Sequence, residues 1–291
     1  MNPTSQASIP QATPLTKPLV KPLSEERERE LLKDTTSYVY QSEDGVDCQA
    51  HCFLPKGHEF AQPKPVILFF HGGLWDKSMV TQFAPHAMHF ASRGMVAVCA
   101  EYRVADKNNT TPEDAMEDAH MAVLWLKHNA TELGIDPSLI CVAGAASGAH
   151  MALSLAMHPE TMEMDGINSR PHCVIGLSSL VNTTKKGIQH DKFADSKRAH
   201  KFSPSNLIKK KLPPMLLIHG KADTITPYDH VARFAKVMKR KKNDFELIDF
   251  EAMNHSFFNF NVSAQHFEIA LNSMDAFLAN HGYIEPMEYG E

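Results

Sequence analysis

Residues 65–70 read Pro-Val-Ile-Leu-Phe-Phe, and residues 214–219 read Pro-Met-Leu-Leu-Ile-His. Apolar side chains on successive positions cannot alternate between a wet and a dry face, so strands of this kind must be covered on both sides. Strand-like segments recur at 37–42, 47–54, 65–70, 95–101, 139–143, 172–178, 214–219 and 245–251. Between them lie stretches of helical period with readable ends. Pro85 opens "PHAMHFASRG" and Gly94 stops it. Thr111 is placed to cap "TPEDAMEDAHMAVLWLKHNATELG", with Pro112 next and acidic residues in the first turn. Thr226-Pro227 repeats that opening, and the basic run from Lys239 to Lys242 falls where the helix ends and its dipole favours cations. A last helix covers about 263–281. Strand alternating with helix from residue 65 onward predicts an α/β fold: a mostly parallel sheet with helices on both faces, the two early strands forming an antiparallel edge.

The predicted organisation is an N-terminal region, residues 1–34, and one domain, residues 35–291. The first begins as an extended arm rich in Pro, Ser, Thr and Gln and ends in a short charged helix at "SEERERELLK". Residues 181–212, polar and lysine-rich between two strands, read as an insertion of the kind that shapes substrate sites. A 43% hydrophobic composition supports a sizeable core. A net charge of −5 supplies no basic field for nucleic acid. With no run of eighteen apolar residues and no signal-type apolar segment, neither a membrane span nor export is expected. Cys48, Cys52, Cys99, Cys141 and Cys173 are an odd, scattered set, which predicts no disulfide framework and a reducing, cytoplasmic setting. Cys48 and Cys52 could share a strand face, but no other metal-spaced pair joins them, so no metal or other cofactor is expected.

In a sheet of this kind chemistry sits at the carboxyl ends of the strands. The residues found there are His71-Gly72-Gly73-Leu74-Trp75, the turn Gly144-Ala145-Ala146-Ser147-Gly148, Asp223 within "GKADTITP", and His255. A tight turn of small residues, then an acid, then a histidine is the chain order of an α/β-hydrolase triad. The motif G-x-S-x-G would place the nucleophile third, and the third residue here is Ala146.

Across residues 36–282 the chain resembles the α/β-hydrolase esterases related to feruloyl and acetylxylan esterases and to kynurenine formamidase. The resemblance rests on HGGLW, "EYRVA", "DPSLICVAGAASGAHMAL", "PPMLLIHGKADTITP" and the late histidine. Relatives in that group read G-x-S-A-G-[GA]-H-L-A-L. Laid without gaps on this chain, their nucleophile falls on Ala146 and the alanine after it on Ser147. The resemblance implies Asp223 and His255 as the acid and base, and an oxyanion hole formed by the amides of Gly73, Leu74 and Ser147. His71, Gly72 and Trp75 are placed at the substrate, and His150 and Asp118 are read as structural. Many relatives carry a third glycine where Leu74 stands. The implied substrate is a small acyl ester, with no cofactor.

Ala146 leaves two readings of the chain's activity. One is an esterase whose nucleophile has been replaced, which traps its substrate; the other is a natural pseudoenzyme or ligand-binding module. A third possibility shifts the motif by one residue and makes Ser147 the nucleophile. That shift would rotate the side chain by roughly 100° about the helix start.

Overall fold

The computed structural model describes residues 25–43, 45–158 and 161–287. The Pro-rich arm at 1–22 lies outside them. The short charged helix is α1 (Glu25–Leu32). Strands β1 (Thr36–Glu43) and β2 (Val46–Phe53) follow, then β3 (Lys64–Phe70). Helix α2 (Ala84–Ser92) leads to β4 (Val96–Ala100), and the helices α3 (Ala105–Asn108), α4 (Pro112–His128) and α5 (Ala130–Leu133) lead to β5 (Ile135–Ala145). After α6 (Ser147–Met157) comes a small hairpin, β6 (Glu163–Met164) and β7 (Ile167–Asn168), then β8 (Cys173–Leu177). The remainder is α7 (Ser196–Lys201), β9 (Met215–Gly220), α8 (Tyr228–Arg240), β10 (Phe245–Phe250) and α9 (Ala264–Asn280).

Among the described residues the main sheet has eight strands, in the order β1-β2-β4-β3-β5-β8-β9-β10. β1 with β2, and β2 with β4, pair antiparallel, and every other neighbouring pair is parallel. The expected α/β architecture is thus present, including its antiparallel edge. The strand period of two explains why the apolar runs are continuous. Val66, Leu68 and Phe70 enter one core with the inner faces of α4, α6 and α8, while Ile67 and Phe69 enter a second with α2 and α9. β5 starts at Ile135, earlier than the expected 139, because its polar first turn still pairs with Lys64 of β3.

One expected cap is wrong. Helix α8 starts at Tyr228 with Pro227 as its cap residue. The Thr226 hydroxyl is used elsewhere, donating to the Ser178 carbonyl and to Asp223 at 2.9 and 2.8 Å. Thr111 does precede α4, and its amide and hydroxyl both donate to Asp114. Asp118 of α4 is fully buried and takes the Arg103 guanidinium on both carboxylate oxygens.

His71, His86 and His150 are buried, and that burial holds their imidazoles below the usual histidine range, at about 4 for His71 and about 3 for the other two. The unfolded chain takes up these protons near pH 6.5, whereas the native chain stays neutral until well below it. Stability is therefore expected to fall as pH drops below 6.5, by about 1.4 kcal/mol per pH unit for each histidine. The urea midpoint measured from pH 7 to 5 checks this. Among the described residues neither nitrogen of His86 has a hydrogen-bond partner in its nest of Phe69, Phe83 and Phe267, so His86→Phe should make the decline shallower.

Candidate active site

The turn between β5 and α6 is held by two close approaches. A Cβ on Gly148 would stand 2.1 Å from the Phe70 carbonyl oxygen, and one on Gly144 would stand 2.4 Å from the Gly148 carbonyl carbon. Both positions therefore exclude any side chain, and together they frame residue 146. Ala146 takes φ 49° and ψ −109°, a left-handed conformation costly for any residue with a Cβ. Its amide donates to the Leu177 carbonyl at 3.1 Å, and its own carbonyl accepts from His150 and Leu180. Gly148→Ala is expected to cost roughly 3 kcal/mol or more, since backbone rather than a movable side chain must yield. Melting temperature and soluble yield report it.

Ala146 lines a cavity of about 290 Å³ together with Gly72, Gly73, Leu74 and His255. Ser147 is the first residue of α6 and is fully buried. Among the described residues its hydroxyl makes no hydrogen bond to His255, and Ser147 is not part of the cavity wall.

Asp223 follows β9 and His255 follows β10, two strands in register as neighbours. His255 Nδ1 lies 2.8 Å from Asp223 Oδ2. The amides of Ile225 and Thr226 donate to Asp223 Oδ1 at 2.8 and 2.9 Å. The Thr226 hydroxyl and His219 Nε2 reach Oδ2, at 2.8 and 3.2 Å. Burial pushes the Asp223 carboxyl up, but the hydrogen bonds and charge of His219 and His255 outweigh it and hold the group well below the usual carboxylate range. The Ser179 amide donates to His219 Nδ1, which puts the His219 proton on Nε2, facing Asp223 and the Thr226 carbonyl. Ser178 Oγ donates to the His255 carbonyl at 2.8 Å, fixing the loop that carries the imidazole.

In the loop after β3, Gly73, Leu74 and Trp75 all have positive φ. The Gly73 and Leu74 amides donate to no other described residue. His71 and Trp75, expected at the substrate, are not there. His71 is 1% exposed and stacks on Tyr102 at 4.2 Å, and Trp75 is 1% exposed against His150 and Phe193. Both support the loop from within the core because large aromatic rings gain more from burial than the small cavity can offer. Of that group only Gly72 reaches the cavity wall. The insertion also departs from expectation, since none of residues 181–212 lines the cavity. Lys192 instead donates to the Leu74 carbonyl at 2.8 Å and pairs with Asp76. His219, Gln82 and Asn259 went unnoticed in the sequence, and Thr226 reads there only as a helix cap. His219 lies inside an apolar strand, and Gln82 and Asn259 are ordinary loop or turn residues, so nothing in their spacing sets them apart. Among the described residues no group of three His, Cys, Asp or Glu side chains is arranged to hold a metal ion.

Two family models match the chain: BD-FAE over residues 52–174 and the dienelactone hydrolase family over residues 196–281. The chain is 26% identical over 228 residues to the isoprenylcysteine alpha-carbonyl methylesterase ICME of Arabidopsis thaliana, covering 70% of this chain and 52% of that one. It is 23% identical over 199 residues to esterase LipC of Mycobacterium tuberculosis, covering 61% and 49%. The chain thus spans about half the length of these curated relatives. Esterase 2 of Thermogutta terrifontis with propionate bound superposes with a TM-score of 0.83 at 31% identity, covering 88% of this chain and 97% of that one. The same esterase phosphonylated by sarin gives 0.83 at 30% identity, covering 88% and 98%. With eight strands in this order, a strained turn after β5 and nearly the whole of a solved esterase matched, the chain belongs to the esterases of the α/β-hydrolase superfamily.

Proposed function

We propose that this chain carries the site of a serine esterase for short acyl esters with its nucleophile position filled by alanine, so that it binds an ester and barely turns it over. The observation that carries the reading is Ala146 itself: a residue with φ 49° between two obligatory glycines, on the wall of the cavity that His255 also lines. With a serine there, the hydroxyl proton passes to His255 Nε2, since Nδ1 is engaged by Asp223. The serine oxygen then bonds to the acyl carbon, and the carbonyl oxygen gathers charge facing the amides of Gly73, Leu74 and Ser147. A methyl group has no lone pair and no proton to give, so that path is closed in the chain as written. A cavity of about 290 Å³ suits a short acyl chain, and the similar Thermogutta esterase 2 has been solved with propionate and with butyrate.

A fluorophosphonate probe tests the assignment of position 146. Attack of a serine oxygen on phosphorus displaces fluoride and leaves a stable adduct whose position mass spectrometry reads. The expected result is no labelling of the chain as written and labelling at position 146 in Ala146→Ser. An adduct on Ser147 in the chain as written would replace this reading with the shifted one.

A further inference from the structure

Gly72 lies on the cavity wall, yet its amide is not free to serve a substrate. It donates to Gln82 Oε1 at 2.7 Å. Gln82 Nε2 in turn donates to Asn259 Oδ1 at 3.2 Å, and Asn259 Nδ2 donates to the Ser256 carbonyl at 3.0 Å. The direction of this chain is forced at both ends. A backbone N–H can only donate, so Gln82 must turn its oxygen to Gly72; a backbone carbonyl can only accept, so Asn259 must turn its nitrogen to Ser256. The two side-chain amides then meet nitrogen to oxygen, the one arrangement that satisfies all four groups.

The relay joins two separate loops at the carboxyl edge of the sheet. Gln82 sits in a short 3₁₀ turn, Val80–Phe83, whose buried Val80 and Phe83 anchor it. Asn259 is 8% exposed, and both amides line the cavity. At one end of the relay is the loop carrying the free Gly73 and Leu74 amides. At the other is Ser256, the neighbour of His255.

We infer that Gln82 and Asn259 are positioning residues that set the separation between the Gly73–Leu74 amides and the His255 imidazole. The inference rests on the ester-hydrolysis reading above and deepens it. Holding the Gly72 amide away from the cavity leaves the next two amides as the donors, and pinning Ser256 fixes where the imidazole stands. A misplacement of about 1 Å between such groups costs on the order of a hundredfold in rate.

Two measurements test it. The first uses the Ala146→Ser background and p-nitrophenyl acetate. Gln82→Leu and Asn259→Leu are each expected to lower kcat by about 10- to 100-fold with KM little changed, and the pair together no further than the worse single change, because the relay acts as a unit. Gln82→Glu keeps the shape but sets an acceptor against Asn259 Oδ1, so it should lose as much as Gln82→Leu. Full kcat in Gln82→Glu would overturn the relay, because a side chain that only filled space would tolerate that change. The second measurement follows the Gly72 amide resonance in the chain as written. Asn259→Leu, which Gly72 does not touch, is expected to shift it, and an unmoved resonance would sink the inference. Should Ala146→Ser prove inactive, the esterase reading fails, while the Gly72 resonance still decides whether the two loops are coupled.

Discussion

Ala146→Ser is expected to raise hydrolysis of p-nitrophenyl acetate by at least about a thousandfold, toward the roughly millionfold that loss of a triad nucleophile removes in a serine protease. Most of the machinery the new hydroxyl would need is already in place. The backbone at position 146 holds the strained conformation that lifts a side chain off the sheet, and the structure bears that cost with or without an oxygen. The imidazole is oriented by Asp223 at 2.8 Å, and Asp223 is itself held by two backbone amides, a hydroxyl and His219. The chain as written is expected to keep only the residual catalysis that oriented amides and binding supply, about a thousandfold over water in the same comparison. Initial rates on matched enzyme concentrations read the difference, with melting curves to show that folding is unchanged. A folded Ala146→Ser no faster than the chain as written would remove the esterase reading. Adding His255→Ala to an active Ala146→Ser should return the rate to its starting level.

The frame of this site was readable from the sequence because it is built by period and by glycine. The central strand segments, such as 65–70 and 214–219, have to be covered on both faces, and their continuous apolar runs say so directly. Gly144 and Gly148 bracket the turn for a steric reason that any side chain would violate. What escaped was whatever depends on direction rather than spacing. Thr226 reads as a helix cap from its neighbour Pro227, yet its hydroxyl turns back to Asp223, three residues earlier, and to the Ser178 carbonyl, which the packing of β8 against β9 brings near. Trp75 and His71 stand in a motif whose glycines face the cavity, and no local pattern says that the aromatic members point the other way. Gln82 and Asn259 are 177 residues apart and meet only because the loops after β3 and β10 share one edge of the sheet. The insertion shows the same limit: its lysines are visible, but that Lys192 seizes the Leu74 carbonyl is a fact of the fold.

Asp223→Asn in the Ala146→Ser background is expected to lower kcat by about 10⁴-fold while leaving the fold intact, the effect of the same change in a serine protease triad. The cause is the orientation the amide must adopt. Asp223 Oδ1 faces two backbone donors, the Ile225 and Thr226 amides, so an asparagine would keep its oxygen there. Its amino group would then replace Oδ2, the oxygen now facing His255 Nδ1. A donor at that point obliges Nδ1 to accept, which moves the imidazole proton to Nε2. Nε2 is the atom that must take the proton from the hydroxyl at 146, and in that tautomer it has no lone pair to do so. Folding suffers less, because the two amides, the heaviest part of the network, keep their acceptor. The His219 proton and the Thr226 hydroxyl lose theirs, but each retains a carbonyl, that of Thr226 and that of Ser178. A loss smaller than tenfold, in a variant that melts like its parent, would show that Asp223 only shapes the turn before α8 and that His255 finds its tautomer without it.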